Sequence, residues 1–124
     1  AYVTLHSGDN CGNNLNQLDV IDITTLTAPS LIKTYRFKRP MGLSVVDKTL
    51  YLCDEGVKTF DVTDDNRIDQ NMLSQITGFE TYDIIAYDKG AQRIIMVIGA
   101  DGLHQFDMTT PTAPRELSRI QVKK

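Results

Sequence analysis

The chain has 124 residues, 41% of them hydrophobic and 23% charged, and a formal net charge of −3. Such values describe one globular domain with a single core and exclude wholesale disorder. The acidic balance argues against a nucleic-acid partner, which needs a basic surface to displace counterions, and no apolar run approaches the roughly 18 residues of a membrane-spanning helix.

The first strand signal is AYVTL (Ala1–Leu5). It ends in an Asn- and Gly-rich stretch, HSGDNCGNNLNQ (His6–Gln17), whose composition is that of a loop. LDVIDI (Leu18–Ile23) follows, then the phrase TTLTAP (Thr24–Pro29) and a third strand, LIKTYRF (Leu31–Phe37). After Pro40 come four apolar, β-branched runs: GLSVVD (Gly42–Asp47), TLYLCD (Thr49–Asp54), VKTFDV (Val57–Val62) and MLSQIT (Met72–Thr77). The last four are YDIIAYD (Tyr82–Asp88), RIIMVIG (Arg93–Gly99), LHQFDM (Leu103–Met108) and ELSRIQV (Glu116–Val122). The phrase TTPTAP (Thr109–Pro114) joins the final pair. No stretch carries the i, i+3, i+4, i+7 apolar spacing over the length of a helix.

The near-identical phrases expose an internal repeat. LDVIDI, VKTFDV and LHQFDM share one pattern, and their aspartates, Asp22, Asp61 and Asp107, stand 39 and 46 residues apart. That period lies in the range of about 40–50 residues of propeller-blade repeats. Gly56 and Gly102 each stand five residues before the Asp, where a tight turn enters the strand; Gln17 takes that place in the first copy. The units run over roughly 1–40, 41–78 and 79–124.

The expected fold is therefore all-β: a partial β-propeller of about three four-stranded antiparallel blades, the first lacking its innermost strand. Three blades fall short of the about four to eight that close a propeller. The remaining blades, from another chain or a missing segment, are accordingly expected partners.

The succession LDVIDI, TTLTAP, LIKTY resembles the LVIVD repeat, a β-propeller repeat seen in bacterial surface and secreted proteins. The first copy with Pro29 matches best and the third with Pro114 next, while VTDDNRIDQN (Val62–Asn71) departs from the Pro-containing link. The resemblance implies a propeller and an extracellular or cell-envelope location, including a place in a lipoprotein. It implies no agreed activity.

Candidate functional residues are few. Asp22, Asp61 and Asp107 recur once per unit beside Thr- and Pro-rich links, where a carboxylate accepts backbone N–H bonds and fixes a turn; they read as scaffold. The opposite ends of the strands carry the variable loops, where a binding site is expected. Asp9, Asn10, Asn13 and Asn14, in the long His6–Gln17 loop, are candidate ligand contacts together with Tyr82. Their oxygens suit Ca²⁺, although the spacing is not that of an EF-hand, and no other cofactor or metal is expected. Cys11 and Cys53 either form one disulfide that staples this loop to the neighbouring unit or are two unrelated thiols.

KTYRFKRP (Lys33–Pro40) interleaves basic and aromatic residues, but on a strand they alternate between faces, which reads as an exposed outer strand. No catalytic set is assigned. The expected function is a non-enzymatic binding or scaffolding module with a protein or glycan ligand. An enzyme using Asp47, Tyr82, Asp83 and Asp88 at the axis is the alternative.

Overall fold

A computed structural model describes residues 1–7 and 15–122. The strands are β1 (Tyr2–Leu5), β2 (Gln17–Asp22), β3 (Ser30–Arg36), β4 (Pro40–Val46), β5 (Thr49–Asp54), β6 (Val57–Asp61), β7 (Met72–Ile76), β8 (Thr81–Lys89), β9 (Gln92–Gly99), β10 (Gly102–Asp107) and β11 (Arg115–Gln121). Each run read from the sequence is a strand. Besides them there is one 3-10 turn, Ile68–Gln70, and no α-helix among the described residues.

The strands form three antiparallel sheets in chain order: β1-β2-β3, β4-β5-β6-β7 and β8-β9-β10-β11. The repeat is visible in the register. Pairing of each Asp strand with its follower slips at the same place: between Val20 and Ile21, between Thr59 and Phe60, and between Gln105 and Phe106. A bulge there adds local twist, and its recurrence marks one supersecondary unit used three times.

Two turns explain why glycine precedes the Asp strand. Gly56 and Gly102 have φ of +115° and +127°, a region that side chains avoid. A methyl group on either would also collide with a carbonyl oxygen of the next strand, that of Ile76 or of Ile120. The three aspartates do what their setting dictates. Asp22, Asp61 and Asp107 each accept the backbone N–H two residues on, from Thr24, Thr63 and Thr109, all at 2.8 Å. Hydrogen bonds from the hydroxyls of those threonines, and after them the ones from the N–H groups, hold all three carboxyls below the usual carboxylate range.

The sheets stack face to face, so the middle one is buried on both sides. Leu18, Val20 and Tyr35 of the first sheet meet Leu50, Leu52 and Phe60 of the second. From its other face, Tyr51, Cys53 and Val57 meet Ile84, Ile95, Val97 and Phe106 of the third. At about 25 cal/mol per Å² of apolar surface, these two layers are the main favourable term in the fold.

Polar ties cross both seams. Thr4 Oγ1 donates to the Met41 carbonyl at 2.8 Å, and the Ala86 N–H donates to Ser44 Oγ at 3.0 Å. β4 and β8 run so close that a methyl on Gly42 would lie 2.8 Å from the Asp83 Cα.

The link that departs from the repeat, between β6 and β7, has its own role. Ile68 is fully buried in the first apolar layer. Tyr2 donates to Asp65 Oδ1 at 2.7 Å, and Tyr35 donates to the Asp65 carbonyl at 2.5 Å. Tyr35 Oη also accepts the Ile68 N–H at 3.1 Å. Two tyrosines of the first sheet thus lock a loop of the second, and burial raises the pKa of both phenols.

Candidate functional site

The basic and aromatic stretch Lys33–Lys38 lies beside a cavity of about 660 Å³ between the outer strands of the first two sheets. This volume is in the range of small-molecule sites. Alternation along β3 turns Tyr35 toward the second sheet and Lys33 with it, the latter donating to the Asn66 carbonyl at 2.7 Å. Phe37 follows at the strand end and meets Phe60 edge-on, with centroids 5.8 Å apart. Lys33 Nζ sits 5.2 Å from the Tyr35 ring centroid and Lys58 Nζ 5.7 Å from that of Phe37. Both are within cation–π range.

One carboxylate organises this end of the groove. Asp54, buried at the end of β5, pairs with Lys58 through Oδ2 and accepts the Arg39 backbone N–H at 2.6 Å through Oδ1. The first interaction fixes a lysine under the aromatic floor; the second pins the link between the first two sheets. Lys38 stands exposed on the rim. The result is an aromatic floor whose lining sets Lys33, Arg36, Lys38 and Lys58 against Asp54 and Asp69, a net cationic groove suited to an anionic group carried on a flat apolar body.

The matching position in the next seam is closed. His104, at the repeat position of Lys58 in the next sheet, stacks on Phe79 with centroids 4.2 Å apart and bonds Asp101 Oδ1 at 2.8 Å. Asp101 is held below the usual carboxylate range by that hydrogen bond. His104 Nδ1, Thr59 Oγ1 and Ser74 Oγ are buried with no hydrogen-bond partner among the described residues.

The other candidates distribute as follows. Tyr82 lies on the open face of the third sheet, beside Ile98 and Val122. Asp9, Asn10, Cys11, Asn13 and Asn14, and with them the Ca²⁺ and disulfide expectations, lie outside the described residues. Among the described residues Cys53 is a free, fully buried thiol, and burial pushes its pKa up to about 11. It faces the third sheet, away from the first, from which the long loop springs. No group of three His, Cys, Asp or Glu side chains able to hold a metal occurs among the described residues.

Of the carboxylates of the enzyme alternative, Asp47 and Asp88 meet at Arg93 while Asp83 is held apart from them. Asp47 and Asp88 both bond Arg93, at 2.8 and 2.5 Å, in an exposed cluster. Arg93 holds Asp88 below the usual range, so it stays ionised at neutral pH. Asp83 Oδ1 instead accepts the next residue's N–H, from Ile84, at 2.8 Å.

Comparison with protein-family models, curated proteins and solved structures found no match. No helix of the described residues is long and apolar enough to cross a membrane. Reading KTYRF as an exposed outer strand missed this groove, because Tyr35 is buried against the second sheet. What concealed it was the second wall, which comes from Asp54, Lys58 and Phe60 of the next unit.

Proposed function

We propose that the chain is a segment of a larger β-propeller and acts as a non-enzymatic binding or scaffolding module of a bacterial surface or secreted protein of the LVIVD-repeat kind. Its blades are the three sheets, and its ligand site is the groove between the first two. The observation that carries the binding reading is that groove: Tyr35, Phe37 and Phe60 with Lys33, Lys38 and Lys58 around them. Support for the propeller comes from sheets that follow one another in chain order and stack face to face, with a bulge at the same repeat position. The ligand class is an acidic protein segment or acidic glycan with an apolar face.

The test is amide chemical-shift mapping with two probes, an Asp/Glu-rich peptide containing Phe and a uronic-acid oligosaccharide. Binding is expected to shift the amides of residues 33–38, Lys58 and Phe60, and Lys38→Glu with Lys33→Glu is expected to weaken it about tenfold or more. Shifts confined to the Arg93 cluster, or none with either probe, overturn the assignment.

A further inference from the structure

β3 is the outer edge of the first sheet: in the order β1-β2-β3 no strand among the described residues pairs with its far side. The Phe37 N–H donates to the Asn16 carbonyl at 3.1 Å, so Phe37 and, two residues back, Tyr35 turn their backbone groups toward β2. Alternation then turns the N–H and C=O of Thr34 and Arg36 outward, away from the sheet. Thr34, whose hydroxyl is engaged with Asp19 at 2.7 Å, and Arg36 both line the cavity with Lys33, Tyr35 and Phe37. The free edge of β3 therefore runs along the groove.

A free edge alone selects nothing, because β7 and β11 end their sheets too. The groove distinguishes β3, while the seam that follows β7 is filled by the stacked rings of Phe79, His104 and Phe106. Charge selects further. Asp54 and Lys58 pair with each other, which leaves Lys33, Arg36 and Lys38 against Asp69 in the lining. Basic residues on an edge repel a strand of like charge and attract an acidic one.

Taking the groove as the ligand site, and resting on that reading, we infer that the ligand is an extended acidic peptide that adds to the free edge of β3 as a further strand. Its backbone pairs with the N–H and C=O of Thr34 and Arg36, so that the main chain supplies affinity and alternate side chains supply specificity. A sugar chain lacks the regularly spaced N–H and C=O groups that would complete this ladder. Every second side chain of the added strand falls on the groove side, where Tyr35, Phe37 and Phe60 receive an aromatic residue. A carboxylate two positions from that residue matches the two-residue spacing of Lys33 and Tyr35.

Three seven-residue peptides, the length of β3, test the inference: an Asp- and Glu-rich segment with Phe at its centre, and the same peptide N-methylated at either its odd or its even positions. Methylation strips the N–H groups from one edge of the strand and leaves charge and ring in place. The parent peptide is expected to slow hydrogen exchange at the Thr34 and Arg36 amides about tenfold or more. One methylated form, and not the other, is expected to bind about tenfold more weakly than the parent.

Equal affinity of the two methylated forms, or unchanged exchange at Thr34 and Arg36 while the peptide shifts the groove amides, overturns strand addition and leaves the groove standing as the ligand site. Groove shifts with a uronic-acid oligosaccharide and none with the peptide overturn the choice of a peptide and also leave that site standing. No shift with either overturns both.

Discussion

Each of the two seams between sheets joins an aspartate, a basic side chain and two phenylalanines, yet they reach opposite ends. In the first, Asp54 holds Lys58 beneath Phe37, next to Phe60. In the second, Asp101 holds His104 against Phe79, next to Phe106. Lysine is a slender chain with its charge at the tip, so it lies under an aromatic ring without filling the wedge between outer strands. Histidine is a flat ring that stacks face to face, and Phe79, His104 and Phe106 lie nearly parallel, with interplanar angles of 28°, 24° and 5°. One position in the repeat thus decides whether a seam is a groove or a seal.

The comparison breaks most readily at the aromatic residues. Phe106→Ala is expected to cost about 4 kcal/mol in urea unfolding, because it opens a void in a closed stack. Phe60→Ala should cost about 3 kcal/mol, since its void merges with a groove already open to solvent. Equal costs would mean that the second seam is no tighter than the first.

Asp54 and Asp101 separate the seams at the carboxylate. The Asp54 side chain is 0% exposed and Lys58 only 16%. Asp54→Ala strands a largely buried ammonium, and a loss of about 3 kcal/mol is expected. Asp101 is 40% exposed, so water replaces it and Asp101→Ala should cost clearly less. A larger loss at Asp101, measured in the same denaturant series, would reverse the assignment of which seam depends on its ion pair.

The smallest effect concerns acid. The carboxyl of Asp101 is lowered by His104, as those of Asp22, Asp61 and Asp107 are by their threonines. A lowered folded-state pKa contributes stability that is present above the unfolded value of 3.8 and is lost as pH falls through the lower folded value. Melting temperature is therefore expected to fall below about pH 4 in the parent. Asp22→Asn, Asp61→Asn and Asp107→Asn together should flatten that fall, and adding Asp101→Asn should flatten it further. An unchanged acid slope in the four-site variant would show that these turns titrate as in the unfolded chain.

Much of the architecture was legible because its causes are local. Alternating β-branched runs made strands, Gly56 and Gly102 sit where φ must be positive, and Asp followed two residues later by Thr closes its own turn. Repetition then set the count and order of the strands. The groove was less legible. Alternation along Lys33–Phe37 separates two faces, but nothing in that stretch says that one of them meets Phe60 of the next unit.

Ile68 and Asp65 were hidden for the same reason: VTDDNRIDQN reads as a broken link until Tyr2 and Tyr35 arrive from another sheet to bond it. Cys53 makes the point most simply. Its apolar setting could be read from TLYLCD, but a strand buried on both faces has no inside or outside to distinguish. By itself the sequence determined the strands, their turns and their threefold recurrence, all set by backbone sterics and hydrogen bonds within a few residues. Only the stacking of the sheets decided which face each side chain shares with which neighbour, because that depends on contacts between residues tens of positions apart.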